Sequence, residues 1–178
     1  MSAVAFVIAS RNFQETEFQV PREILQKAGF TCPVAALERG ICVGGLGQKV
    51  LATRVLAELK PANFAGVVFV GGGGSAIFDH NPVAHQVVRE FFAAQKVCAA
   101  ICHAPVIFAY AGILRGKQAT CFATAENEEV LRAKGAILSG RANEVDGKVI
   151  TANGPPAAAQ FGKQIVSVLK EGEEREKN

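Results

Sequence analysis

Residues Val97 to Tyr110 read VCAAICHAPVIFAY, and this stretch decides the fold. Val97 to Ile101 is short, apolar and partly β-branched, the pattern of a buried strand. Cys102 and His103 follow at once, and Pro105 opens a second apolar run that ends at Gly112. Proline suits the first turn of a helix, where its missing N–H removes no hydrogen bond, and glycine suits the residue past the end. The spacing therefore predicts a strand that turns sharply into a helix, with Cys102 at the turn. Ala100 and Ala104, two residues to either side, are small enough to let strand and helix approach. These are the requirements of a nucleophile elbow, a strained turn that pushes one side chain outward. The positive end of the following helix is expected to lower the thiol pKa and favour the thiolate. A cysteine taken at random is more often a buried structural thiol; the elbow context reverses that expectation.

Outward from this stretch, apolar runs alternate with helical patterns. Ala3 to Ala9 reads as a first strand and Ser10 to Gln14 as a loop. Glu15 to Ala28 has helical spacing, but Pro21 is awkward inside a helix. If Pro21 marks the true first turn, Glu17 lies in the turn or irregular segment after the first strand. Thr31 to Leu37 is a second strand, and the glycine-rich Glu38 to Gln48 a β excursion. Ala65 to Val70 is a buried strand that runs straight into Gly71, Gly72, Gly73, Gly74 and Ser75. Asn81-Pro82 starts a helix through Gln95. Gln118 to Phe122 reads as a strand, Glu126 to Lys134 as a helix, and Asn143 to Asn153 as a hairpin turning at Asp146-Gly147. A last helix begins at Pro155-Pro156. One domain is expected over residues 1–170, with a charged tail at 171–178 that frays.

This alternation predicts an α/β fold, a mostly parallel sheet with helices on both faces. Sites in such sheets form beyond the carboxyl ends of the strands. Ser10 to Glu17, Gly71 to Ser75 and Cys102-His103 all leave strands at that edge and are expected to converge.

The bulk composition removes several functions. The chain has 178 residues, 49% of them hydrophobic, which suits one domain with a sizeable core. No apolar run is long enough to span a membrane, and the first residues lack the basic start and apolar core of a signal peptide. A cytoplasmic protein is the expectation. The net charge of +3 is spread over 19 basic and 16 acidic residues, with no Trp and one Tyr, so nucleic-acid binding has little support. The five cysteines, Cys32, Cys42, Cys98, Cys102 and Cys121, match no zinc spacing. No metal and no cofactor is expected.

Three segments carry chemistry at the converging edge. The glycine run lacks the Lys-Ser/Thr ending of a phosphate loop and does not fit GxGxxG. Its other uses are a flexible turn or a supply of backbone N–H groups for an oxyanion. His103 follows the cysteine directly, and it is a candidate base if the strained turn lets adjacent side chains meet. His80 and His85 read as solvated. Glu15 and Glu17 leave the first strand; a carboxyl pressed against a cysteine has a raised pKa and can hydrogen-bond the sulfur, whereas a lone glutamate is ordinarily exposed.

In combination, AICHAP after a strand, the FVGGGG loop, Glu17-x-x-x-Pro21 and the late NGPPAA resemble the ThiJ/PfpI family, within the class I glutamine amidotransferase-like superfamily. The resemblance spans about residues 3–169. It implies a flavodoxin-like three-layer sandwich with the nucleophile elbow at Cys102. Glu17 matches the acid that hydrogen-bonds the cysteine. Gly72 and His103 match the residues whose N–H groups form the oxyanion hole. It further implies a homodimer or larger homo-oligomer, in which an acid from a neighbouring subunit can orient the histidine. In this chain the acid expected soon after the glycines is missing, and Asp79 is the nearest candidate for orienting His103. The activity implied first is cofactor-independent cysteine chemistry on small reactive carbonyls or glycated amino groups, of glyoxalase or deglycase type. A PfpI-like intracellular cysteine peptidase or amidase is the second reading. A non-enzymatic redox-sensing or chaperone-like stress protein is the third.

Overall fold

The computed structural model describes residues 2–177, and their side chains as far as residue 174. The strands are β1 (Val4–Val7), β2 (Arg11–Phe13), β3 (Val34–Ala36), β4 (Gly40–Gly44), β5 (Lys49–Ala52), β6 (Arg54–Val55), β7 (Gly66–Phe69), β8 (Val97–Ile101), β9 (Gln118–Ala119), β10 (Ile137–Leu138), β11 (Asn143–Asp146) and β12 (Val149–Ala152). The helices are α1 (Glu15–Lys27), α2 (Pro82–Ala93), α3 (Pro105–Ala111), α4 (Ala125–Ala133) and α5 (Ala158–Lys177), with a tight 3-10 turn over Gly73–Phe78. Seven strands form one sheet in the order β11-β12-β8-β7-β1-β3-β6. All neighbours in it are parallel except β11 and β12, the two arms of the Asp146-Gly147 hairpin.

Both faces of this sheet are covered, which explains why its strands read as unbroken apolar runs. Successive residues of a strand face opposite sides. On β8, Cys98 and Ala100 join the core with Phe91 of α2, Phe108 of α3 and Leu131 of α4. Val97, Ala99 and Ile101 join the opposite core with Phe18 and Leu25 of α1 and Phe161, Ile165 and Leu169 of α5. The result is the three-layer α/β sandwich expected.

Three details depart from the sequence reading. Arg11–Phe13 is a short strand and not a loop; it pairs with β4 in a small sheet, β2-β4-β5. Helix α1 starts at Glu15 and keeps Pro21 in its interior, so Glu17 is helical. The proline costs α1 about 3 kcal/mol. It packs closely on α5: a Cβ on Gly162 would stand 2.8 Å from Pro21 Cα. Burying Phe18, Leu25, Phe161, Ile165 and Leu169 there returns about 1.5–3 kcal/mol each, which outweighs the penalty. Finally, α5 continues to Lys177, through the charged segment read as a fraying tail. Among the described residues, no helix is long and apolar enough to cross a membrane.

Candidate active site

Strand β8 delivers Cys102 into a left-handed turn, with φ of 65°. A non-glycine residue held there costs about 1–3 kcal/mol and persists only where its surroundings enforce it. They do so through both backbone groups: Cys102 N–H donates to Ala152 O at 2.8 Å, and Phe122 N–H donates to Cys102 O at 2.7 Å. Pro105 opens α3 and Gly112 ends it with φ of 86°. The elbow is therefore built as the spacing predicts, and Cys102 is half-buried at its apex.

The three segments expected at this edge do converge. Gln14 caps α1 by accepting the Glu17 N–H on its side chain at 2.8 Å, and its own N–H donates to Gly71 O at 3.1 Å. That bond ties the start of α1 to the glycine run. Gly71 then lies between the Glu17 and Cys102 side chains. A Cβ on Gly71 would meet Glu17 Oε2 and would stand 2.6 Å from Cys102 Cβ. Gly72 has φ of 100°, and a Cβ there would stand 2.5 Å from both Asn12 O and Gln14 N. Glycine is required at both positions, by close approach at the first and also by conformation at the second. Ser75 donates its hydroxyl to Gly72 O at 2.7 Å and fixes the peptide.

Glu17 is fully buried, and neither carboxyl oxygen has a partner of full hydrogen-bond geometry. Burial lifts its pKa to about 7, while the neighbouring Cys102 thiol and Gly71 N–H pull it down. Burial first, and then the Glu17 charge, push the Cys102 thiol up to about 12. The N–H groups of Gly72 and His103 point at the sulfur and pull the other way. The lowered thiol pKa expected from the helix start is thus overturned. Helix α3 has only seven residues, and the charge nearest the sulfur is a buried carboxylate.

His103 reaches the sulfur through its backbone N–H. Its ring turns to Asp79, with Nε2 at 2.8 Å from Oδ2 and 3.0 Å from Oδ1. Asp79 follows the 3-10 turn over Gly73–Phe78, which carries the carboxyl from the glycine run to the histidine. The acid comes from the same chain. Of the histidines read as solvated, His85 is half-buried and its Nε2 lies 2.7 Å from Asp79 O. His80 is exposed and packs on Tyr110, with ring centroids 4.4 Å apart.

Sequence reasoning missed Gln14 and Asn127. Gln14 is an uncommon helix cap with no signature. Asn127 sits in the first turn of α4, its N–H capped by Thr124 Oγ1 at 3.1 Å, and its side-chain Nδ2 donates to Phe122 O at 3.1 Å, beside the elbow. Only the Thr124 cap was legible. Among the described residues, no group of three or more His, Cys, Asp or Glu could hold a metal ion.

A half-buried cysteine in a left-handed turn between a strand and a helix, with a buried acid and two backbone N–H groups beside it, defines the class of α/β proteins that carry a cysteine at a strand-to-helix elbow. The chain belongs to the DJ-1/PfpI family, whose sequence model matches residues 2–168. An uncharacterized protein of Methanocaldococcus jannaschii is 36% identical over 172 residues, 96% of this chain and 84% of that protein. Deglycase PfpI of Pyrococcus furiosus is 26% identical, covering 92% of this chain and 97% of its own. The crystal structure of a ThiJ/PfpI domain protein from Brachyspira murdochii superposes with a TM-score of 0.91 at 29% identity, over 95% of this chain and 96% of that one.

Proposed function

We propose that this protein is a cofactor-independent cysteine enzyme acting on small reactive carbonyls, of glyoxalase or deglycase type. The observation that carries this reading is the buried Glu17 carboxyl against the Cys102 thiol, poised near neutral pH. The deglycase name of the Pyrococcus furiosus relative supports it.

With methylglyoxal the steps balance without an outside oxidant. Cys102 sulfur bonds to the aldehyde carbon as the thiol proton passes to Glu17. The carbonyl oxygen becomes an oxyanion facing the Gly72 and His103 N–H groups, the arrangement that stabilises such charge, and takes a proton to give a hemithioacetal. Glu17 then moves a proton from the former aldehyde carbon to the neighbouring ketone carbon through an enediol. That converts the hemithioacetal into a thioester, and water releases lactate and the free thiol. A base with a pKa near the working pH is the best compromise for such transfers.

A cysteine peptidase or amidase is the second reading, because Asp79 supplies the acid that a Cys-His pair requires. We also propose a homodimer or larger assembly, supported by the exposed apolar Ile41, Leu46 and Leu51 of the β4–β5 hairpin. The five free thiols suit a reducing cytoplasm.

The deciding experiment is one substrate panel of dicarbonyls, glycated amino acids and peptides, run on wild type and Cys102→Ala side by side. Cysteine-dependent turnover of dicarbonyls or glycated amines is expected. Cysteine-dependent turnover of peptides alone overturns the first reading in favour of the second.

A further inference from the structure

We propose that Glu15 is a positioning residue whose carboxylate clasps the tip of the β4–β5 hairpin to the first turn of α1 and so holds Glu17 against Cys102. Glu15 is an acid that the mechanism leaves unused. It stands two residues before Glu17, and side chains at that spacing do not face each other on a helix. Glu17 faces Gly71 and the Cys102 thiol. Glu15 faces the hairpin, where Leu46 N–H donates to its Oε1 at 2.6 Å. A second observation meets the first. A Cβ on Gly44 would collide with Glu15 Oε1 and would stand 2.5 Å from its Cδ and 2.9 Å from its Cγ. The hairpin thus carries a glycine where the Glu15 carboxyl enters it.

The first turn of a helix is its least restrained part, because its leading N–H groups have no partner inside the helix. In α1 that turn carries a buried carboxyl whose oxygens lack full hydrogen bonds, a group that gains by swinging out to water. Restraints on two sides hold it in. On the inner side Gln14 accepts the Glu17 N–H at 2.8 Å and donates its own N–H to Gly71 O at 3.1 Å. On the outer side stands the Glu15 clasp. The hairpin it grips is itself anchored to the chain leading into the helix: Val43 N–H donates to Ser10 O at 2.9 Å, and Gly45 N–H to Phe13 O at 3.0 Å. A carboxylate accepting from an amide is a charge-assisted bond, stronger than the neutral bonds around it. The place of Glu17 is therefore set in part by a hairpin that is not one of the three segments converging on Cys102. The clasp stands on geometry; its effect on turnover rests on the function proposed above.

The test is titration of the Glu17 carboxyl by carbon-13 nuclear magnetic resonance, with the signal assigned by its loss in Glu17→Gln. The wild-type midpoint is expected near pH 7. In Glu15→Ala the clasp is gone and water reaches Glu17, so the midpoint should fall toward the ordinary value by about one unit or more. Gly44→Ala pushes the Glu15 carboxyl out from the hairpin side and should move the midpoint the same way. Glu15→Gln keeps an oxygen that accepts the same N–H and should keep the midpoint near wild type. In the double variant Glu15→Ala/Gly44→Ala the new methyl has no carboxyl to strike, so the shift should match that of Glu15→Ala and not the sum. An unchanged midpoint in Glu15→Ala or Gly44→Ala, an equal fall in Glu15→Gln, or additive shifts in the double variant overturns the proposal. Lactate formation from methylglyoxal in the same samples reads the function separately: kcat in Glu15→Ala should drop about tenfold, the weight of a small misplacement, with KM held. No turnover in any sample, wild type included, condemns the carbonyl reading and leaves the clasp to the midpoints; an unchanged midpoint condemns only the clasp.

Discussion

Glu17 and Cys102 face each other across Gly71, an acid on the first turn of α1 and a thiol at the end of β8, with no room for a side chain between them. The acid is buried at 0% exposure and its oxygens are nearly orphaned. Such a group is costly to fold around, and its cost is the measurable trace of the site.

The first prediction concerns that cost. Glu17 has a folded pKa of about 7 against an ordinary value of 4.5. Below the lower value both folded and unfolded chains carry the proton, and nothing is lost. Between the two the folded chain binds more protons, so stability falls as pH rises, and above the upper value the full penalty stands. By linkage that penalty is about 3 kcal/mol. Glu17→Gln, of equal size and uncharged, is expected to be more stable than wild type at pH 8 by an amount of this order, and nearly equal to it at pH 4. Urea unfolding at the two pH values measures the difference.

The second prediction separates acidity from catalysis. The Glu17 charge is one of the influences holding the thiol proton on Cys102. Removing it in Glu17→Gln should move the Cys102 titration down while carbonyl turnover falls by about 100-fold or more, the usual weight of a positioned acid–base group. Thiol titration by ultraviolet absorbance and initial-rate kinetics give the two readings. A more acidic thiol that turns over faster would show that Glu17 only tunes the sulfur.

The third prediction uses the gap itself. In Gly71→Ala the new methyl would stand 2.6 Å from Cys102 Cβ and 2.7 Å from Ile101 O. Glu17 and Cys102 must part, so turnover should fall at least tenfold and stability by about 1–3 kcal/mol, the ordinary toll of overpacking. Gly73→Ala, where nothing lies within 4 Å of the added carbon, should leave stability close to wild type.

The fourth prediction decides what Asp79 does. Its bond to His103 Nε2 helps raise the histidine pKa. Asp79→Asn should lower the His103 midpoint yet reduce carbonyl turnover by less than about tenfold, because the proton is carried by Glu17 and not by the ring. A loss on the order of 10³-fold or more would be the signature of a Cys-His-acid hydrolase and would favour the peptidase reading.

Much of this site was legible in residue order. The strand-to-helix switch around Cys102 was fixed by a short apolar run, flanking alanines, Pro105 and Gly112, all local signals. Glu17 was legible as a candidate, but its setting was not: Pro21 argued for a helix starting late, whereas α1 begins at Glu15, capped by Gln14, with Pro21 packed closely against Gly162 of α5, far along the chain. The thiol pKa was misjudged for a similar reason. A helix start is visible in sequence, whereas the burial that outweighs it depends on how three distant segments close together. Asn127 lies 24 residues past His103, and its amide is held beside the elbow because Phe122 returns to Cys102, a contact that no spacing encodes.

The most direct measurement is the rate of lactate formation from methylglyoxal across pH 5 to 9 in wild type, Glu17→Gln and Cys102→Ser. The wild-type rate is expected to rise through a limb near pH 7, where Glu17 ionises and can take the thiol proton, with the limb absent in Glu17→Gln and turnover abolished in Cys102→Ser. Undiminished lactate formation by Cys102→Ser, or an unchanged limb in Glu17→Gln, contradicts a mechanism that runs through this pair.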